Sequence, residues 1–253
     1  MSSAAMTVRQ VRYTNKAFWR NPASAFFTFA FPLMFLVIFT ALLGSGTVLL
    51  HGREFNQSTY YVASMAAFSV ITACYTNIAI SITFSRDTGV LKRIRGTPLP
   101  AWSYLFGRIV HAVFVAICAV FGWLFYDAQL PISTIGPFLL TLVVGAASFC
   151  TLGLAITSAI PNADASPAIV NASILPLLFI SDVFIPLRED APAWLATIAK
   201  IFPVKHFVEG MLASYFPLPG QSSIKGGDLL VVALWGLAGL LLAFRYFSWE
   251  PRR

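Results

Sequence analysis

The amino-acid sequence predicts an all-α polytopic membrane protein. Six transmembrane helices are joined by an amphipathic helix at the N-terminal end, a short cytoplasmic helix between spans two and three, and short outer-leaflet helices between spans five and six. Three observations carry this. Of 253 residues, 58% are hydrophobic and only 11% charged, where a soluble domain carries about a quarter charged. Six stretches approach the roughly 20 apolar residues that cross a bilayer. The cations, finally, gather at the ends of those stretches. A net charge of +7 therefore reads as membrane topology and not as nucleic-acid binding.

The elements follow in chain order. Arg9, Arg12, Lys16 and Arg20 are spaced three, four and four residues apart, one basic stripe on a helix. Val8, Val11, Phe18 and Trp19 lie off the stripe, as in a helix resting on the inner membrane surface. Charge that sets topology without a helix is the simpler reading. The spans are expected at 25–44, 60–84, 103–126, 135–160, 167–187 and 228–247. With both termini inside, 12 cations face the cytoplasm and five, Arg53, Arg188, Lys200, Lys205 and Lys225, face out. This is the direction the positive-inside rule prefers.

Leu187 to Gly220 is apolar but broken. Asp190 suits an N-cap and Pro192 a first turn. Trp194, Leu195, Ile198, Ile201 and Phe202 recur at helical spacing until Pro203 interrupts. Two short helices at, or dipping into, the outer leaflet are expected; a seventh span would put the C-terminus outside. Cys74, Cys118 and Cys150 lie within apolar segments without metal or disulfide spacing, as packed core residues.

The stretch SRDTGVLKRIRGTPLP, Ser85 to Pro100, is the most informative. Each Lys or Arg at a bilayer centre costs about 2.5–3.5 kcal/mol, so Arg86, Lys92, Arg93 and Arg95 belong in the cytoplasm. Asp87 to Arg95 contains no proline and spans about two helical turns, until Thr97-Pro98 stops it. Val90, Leu91 and Ile94 form its apolar patch. Such a helix fits a groove on a cytoplasmic partner; a loop that only sets topology is the competing reading.

Here the sequence resembles a known family. Arg86, Gly89, Leu91, Lys92, Arg93, Thr97, Pro98 and Leu99, then Gly107 and Arg108, match the pattern R-x-x-G-x-L-[KR]-R-x-x-x-T-P-L after the second span of type-2 ABC exporter membrane domains. SDVFIPLREDAPAWLATIAKIFPVKHFVEGM is similar to that family's stretch after the fifth span, with Ile185 where phenylalanine is common. The likeness covers essentially the whole chain, and is greatest to drug-resistance permeases of the daunorubicin-export kind.

The resemblance implies one permease domain over residues 1–253, multi-pass in a bacterial cytoplasmic membrane with both termini inside. It implies a contact with an ATP-binding subunit through Arg86, Asp87, Gly89, Val90, Leu91, Lys92, Arg93, Ile94, Thr97 and Pro98, and through the loop bearing Asn162 and Asp164. Two copies of that subunit and a second permease chain, as a homodimer, would complete the transporter. ATP and Mg would sit on the partner, since no GxxxxGK[ST] phosphate loop is present here. The chain itself would be no enzyme and would need no cofactor. Its substrate would be amphipathic: a drug, lipid or glycolipid.

Inside the spans, Ser69, Thr72, Thr76 and Thr83 fall on one stripe bordered by Asn77. They suit either a translocation path or hydrogen bonding between helices. Ala147, Thr151, Ala155 and Ala159 recur every four residues, as in close helix packing. Asn171 and Asp182 lie in the fifth span; an acid there is a functional candidate, though Asp182 is expected close enough to the outer end to reach headgroup water. His111 and His206 show no acid at motif spacing. An ion- or proton-coupled transporter without an ATPase partner would need charged groups at mid-membrane depth. A membrane enzyme would need a convergent catalytic group. The sequence displays neither.

Overall fold

The computed structural model describes residues 3–22, 26, 30–43, 47–50, 53–96, 110, 134–184, 192–215 and 222–250. The expected third span, 103–126, lies outside them except at residue 110, as do Thr97, Pro98, Asp190 and most of the start of the first span. Helix α1 (Ser3–Trp19) buries Thr14 and Phe18 and exposes Arg9, Arg12 and Lys16, with Arg20 exposed just beyond it. Its two faces are those of an amphipathic helix.

Helix α2 (Phe31–Leu43) belongs to the first expected span. It leads to an antiparallel hairpin, β1 (Thr47–Leu50) and β2 (Arg53–Asn56), in register Thr47↔Asn56 and Leu50↔Arg53. Apart from this one short ribbon, the regular elements among the described residues are helical, as the sequence predicts. Helix α3 (Gln57–Ile71), a π-helical turn (Thr72–Thr76) and helix α4 (Asn77–Asp87) run on without a break. Helix α5 (Val90–Arg95) follows. The remaining described helices are α6 (Ile135–Ile156), α7 (Ser166–Ile180), α8 (Ala193–Ile201), α9 (Pro203–Tyr215) and α10 (Gly226–Tyr246).

Among the described residues, three helices are long and apolar enough to cross a membrane: Tyr60–Asp87, Ile135–Ile156 and Gly226–Tyr246. The fifth expected span is shorter than 167–187. It stops at Ile180, because Asp182 takes a left-handed φ of 60° and turns the chain. The fourth stops at Ile156 in place of 160.

Helices α6 and α10 lie closely along each other. A Cβ on Gly236 would stand 2.4 Å from Ser148 Oγ and 2.9 Å from Ser148 Cα, and Thr151 Oγ1 donates to the Gly236 carbonyl at 2.8 Å. The small stripe expected on α6 contributes only in part, since Ala147 and Ala159 are exposed. The glycines of the partner helix decide which face approaches, and a one-helix pattern cannot report that. On the other side, Phe35, Phe39, Tyr61, Phe68 and Phe184 join α2, α3 and the end of α7 through ring centroids 5.1–5.6 Å apart.

The broken segment forms a V. Phe202 is extended (φ −91°, ψ 153°) between α8 and α9. Its ring stacks on Trp235 at 5.6 Å, and the Trp235 indole N–H donates to the Ile201 carbonyl at 2.9 Å. Trp235 sits midway along α10, so the tip of the V reaches about half the depth of that helix. α9 then returns antiparallel to α10, with His206 beside Asp228 and Glu209 beside Lys225.

Candidate functional site: a joint between two turns

The loop between α4 and α5 is shaped by one residue. Gly89 has φ 72°, a left-handed value that costs glycine little and other residues more. Its N–H donates to the Arg86 carbonyl at 3.1 Å, and the chain reverses into α5. That helix lies with Leu91 fully buried, Ile94 half-buried, and Val90, Lys92, Arg93 and Arg95 exposed. The apolar patch read from the sequence is therefore divided. Leu91 fastens α5 to the helices, and Val90 is left on the surface.

Arg86 differs most from its expected part. It is 2% exposed. Its guanidinium donates to the carbonyls of Thr157 (3.1 Å), Ile160 (2.9 Å) and Pro161 (3.2 Å), and through Nε to Asp87 Oδ1 (3.0 Å). Those carbonyls follow the C-terminal end of α6, where the helix dipole favours a cation. The other Asp87 oxygen, Oδ2, accepts the Ala163 N–H. Asn162 Oδ1 accepts the Ala165 N–H at 2.8 Å, ahead of α7.

The two loops that the sequence offers as separate contacts are thus one joint. Arg86 and Asp87 hold it from inside. Val90, Lys92, Arg93 and Arg95 lie on one part of its outer surface, and Asn162 and Asp164 are exposed on the other. A planar fork serving several acceptors at once is work that arginine does and lysine does not.

The residues considered for a path do not gather on one surface. Ser69 is buried, and its Oγ finds no partner among the described residues. Thr83 is buried and donates back to the Ala79 carbonyl at 2.8 Å. Thr72, Thr76 and Asn77 are half-buried in and just after the π turn, while Asn171 is exposed on α7. Asp182 does not reach headgroup water. It is 3% exposed, and its carboxylate pairs with Lys205 Nζ at 3.2 Å, each side chain about 5% exposed. Lys205, counted above as an outer-face cation, is buried in α9. The Asp182 carbonyl also accepts the Tyr60 hydroxyl.

Sequence reasoning missed three contacts. Tyr75 OH and Ser173 Oγ are 2.7 Å apart, joining the π turn to α7. His206 Nδ1 is 2.6 Å from Asp228 Oδ1, and its Nε2 is 2.8 Å from the Lys200 carbonyl. Asp182 meets Lys205 across a turn. Each partner is far off in sequence, where no local spacing can reveal it.

A bundle of long apolar helices of this kind, with a short amphipathic helix tied to a second turn, is that of a multi-pass membrane protein. Residues 5–216 match the family described as ABC-2 type transporter, and the chain belongs to it. It is 25% identical over 208 residues to ycf38 of Porphyra purpurea, named as a transport permease, covering 78% of this chain and 69% of that protein. It is 25% identical over 196 residues to YbhR of Escherichia coli K12, named as a multidrug ABC transporter permease. That match takes in 74% of this chain and 50% of YbhR, so the chain spans half of that relative's length. It is 23% identical over 221 residues to the inner membrane transport permease YadH of the same strain, covering 86% of this chain and 82% of YadH. The chain is a transport permease subunit and a multi-pass membrane protein, of a family whose permeases work with an ATP-binding subunit.

Proposed function

We propose that this chain is the membrane-spanning half of an ATP-driven exporter, and that its ATP-binding partner docks on the joint between α5 and the turn after α6. The observation that carries the reading is the Arg86 tie. It links the end of span two to the end of span four, so a push on α5 moves both helices as one body. Exposed Val90, Lys92, Arg93 and Arg95 supply an apolar contact ringed by charge, the mixture that fits a groove on a soluble subunit.

In this reading two ATP-binding subunits bind ATP and Mg, and their closure is passed through the joint. A second copy of this chain completes the path, and the membrane is the bacterial inner membrane, with both termini in the cytoplasm. The substrate class is amphipathic, as a relative named for multidrug transport makes reasonable. The chain performs no covalent chemistry and carries no cofactor of its own.

A second reading has one observation in its favour. Asp182 and Lys205 are charged groups buried within the helical layer, the kind an ion-coupled transporter uses. They are, however, spent on each other. Co-purification of the tagged chain from its host decides between the two. The exporter reading expects a soluble ATPase that is lost, by tenfold or more, in a Val90→Asp, Arg93→Glu variant whose stability moves by less than about 0.5 kcal/mol. Substrate movement in vesicles holding the chain alone, driven by an ion gradient, would overturn it.

A further inference from the structure

A cavity of about 370 Å³ lies between α6, α7, α10, the π turn and the tip of the V. At one end it is bounded by Phe202, Pro203 and Trp235, and at the other it reaches Ser158, Ala159 and Leu242. From Trp235 to Leu242 is seven residues of helix, about 10 Å along the helix axis. The cavity therefore runs with the helices, from the middle of α10 toward the cytoplasmic end.

Its polar wall groups are already satisfied. Tyr75 OH and Ser173 Oγ bond each other at 2.7 Å, and Ser158 Oγ donates to the Ala155 carbonyl at 2.7 Å. The rest of the lining is aliphatic or aromatic. A ligand with polar groups would bury them there without partners, at a cost of about 1–3 kcal/mol each; a hydrocarbon chain would bury none. At the cytoplasmic end, Arg245 is exposed one turn beyond Leu242, with its guanidinium beside the exposed Tyr246 ring at 5.6 Å. A cation and an aromatic ring at that level suit a phosphate headgroup.

We infer that this cavity is a site for one acyl chain of an inner-leaflet anionic phospholipid, inserted tail-first with its phosphate at Arg245. The site would be filled whether or not transport is running, so the inference rests on the exporter reading only for the orientation of the chain.

The test uses the full chain in vesicles of equal phosphatidylcholine and phosphatidylglycerol, with a trace of either lipid carrying a diazirine in its acyl chain. After irradiation, adducts are mapped by peptide mass spectrometry. The expected result is labelling of Ser173, Leu177 and Trp235 about tenfold above that of Leu230, Leu234 and Leu237, which face outward on α10. Ser158→Trp and, independently, Leu177→Phe should cut the cavity adducts and spare those on Leu234. Arg245→Gln should remove the advantage of the phosphatidylglycerol probe over the phosphatidylcholine one. Cavity labelling no higher than at Leu234 in the unaltered chain would overturn the site, and equal labelling by the two probes would overturn the headgroup assignment.

Discussion

Arg86–Asp87 at the joint and Lys205–Asp182 beyond the end of α7 both bury a cation in an ion pair, yet they are built differently. Arg86 has its own acid beside it and three backbone carbonyls around it. Its charge is spread over many acceptors close to the aqueous boundary. Lys205 meets the Asp182 carboxylate at 3.2 Å, both side chains about 5% exposed, and Asp182 itself holds the left-handed turn. Burying two charges is costly, and a single good contact repays it only while both partners stay. The cation of the first pair has acceptors besides its acid, whereas the contact given by Lys205 Nζ is the Asp182 carboxylate.

The comparison is tested most severely at Asp182. Asp182→Asn leaves Lys205 charged and unpaired, and should cost about 3–5 kcal/mol, read as a large fall in the midpoint of thermal unfolding in detergent. Asp182→Asn combined with Lys205→Met should recover most of that loss, because no charge remains to be buried and asparagine, like aspartate, tolerates the left-handed turn. If the double variant is as unstable as the single one, the pair is not what holds the turn.

Arg86→Lys should be the next largest. A lysine keeps the charge but cannot serve three carbonyls and a carboxylate, and the loss of charge-assisted hydrogen bonds should cost about 2–3 kcal/mol. Faster proteolysis at the turn after α6 would report it. Asp87→Asn should cost only about 1–1.5 kcal/mol, since the carbonyls still hold Arg86. An Asp87→Asn penalty matching that of Asp182→Asn would erase the distinction between the two pairs. The smallest effect is expected from Trp235→Phe. It removes one hydrogen bond to Ile201 and keeps the stack on Phe202, for about 1 kcal/mol. Hydrogen exchange at the tip of the V should rise without change at α5.

Much of this was legible along the chain. The basic stripe of α1 and the break at Pro203 were carried by local spacing and by proline; the short helix expected over Asp87–Arg95 starts only at Val90, because Gly89 turns the chain first. The depth of the V was not. It depends on Trp235, 32 residues after Pro203, and on a glycine-faced contact between α6 and α10. Leu91 and Arg86 were read as outward-facing because a helical wheel shows which residues share a face, and not which face the rest of the molecule covers.

The sequence by itself determined the membrane class and the place of a short basic helix after span two, because hydropathy, charge asymmetry and turn chemistry act over a few residues; its motifs carried the family resemblance. Only the tertiary structure decided that the two loops form one joint, that Lys205 is buried against Asp182, and that His206 has Asp228 as its partner. Each of these joins residues between 22 and 76 positions apart. Burial makes such contacts obligatory, since a charge taken out of water must find an acceptor, but it does not encode them at any fixed spacing.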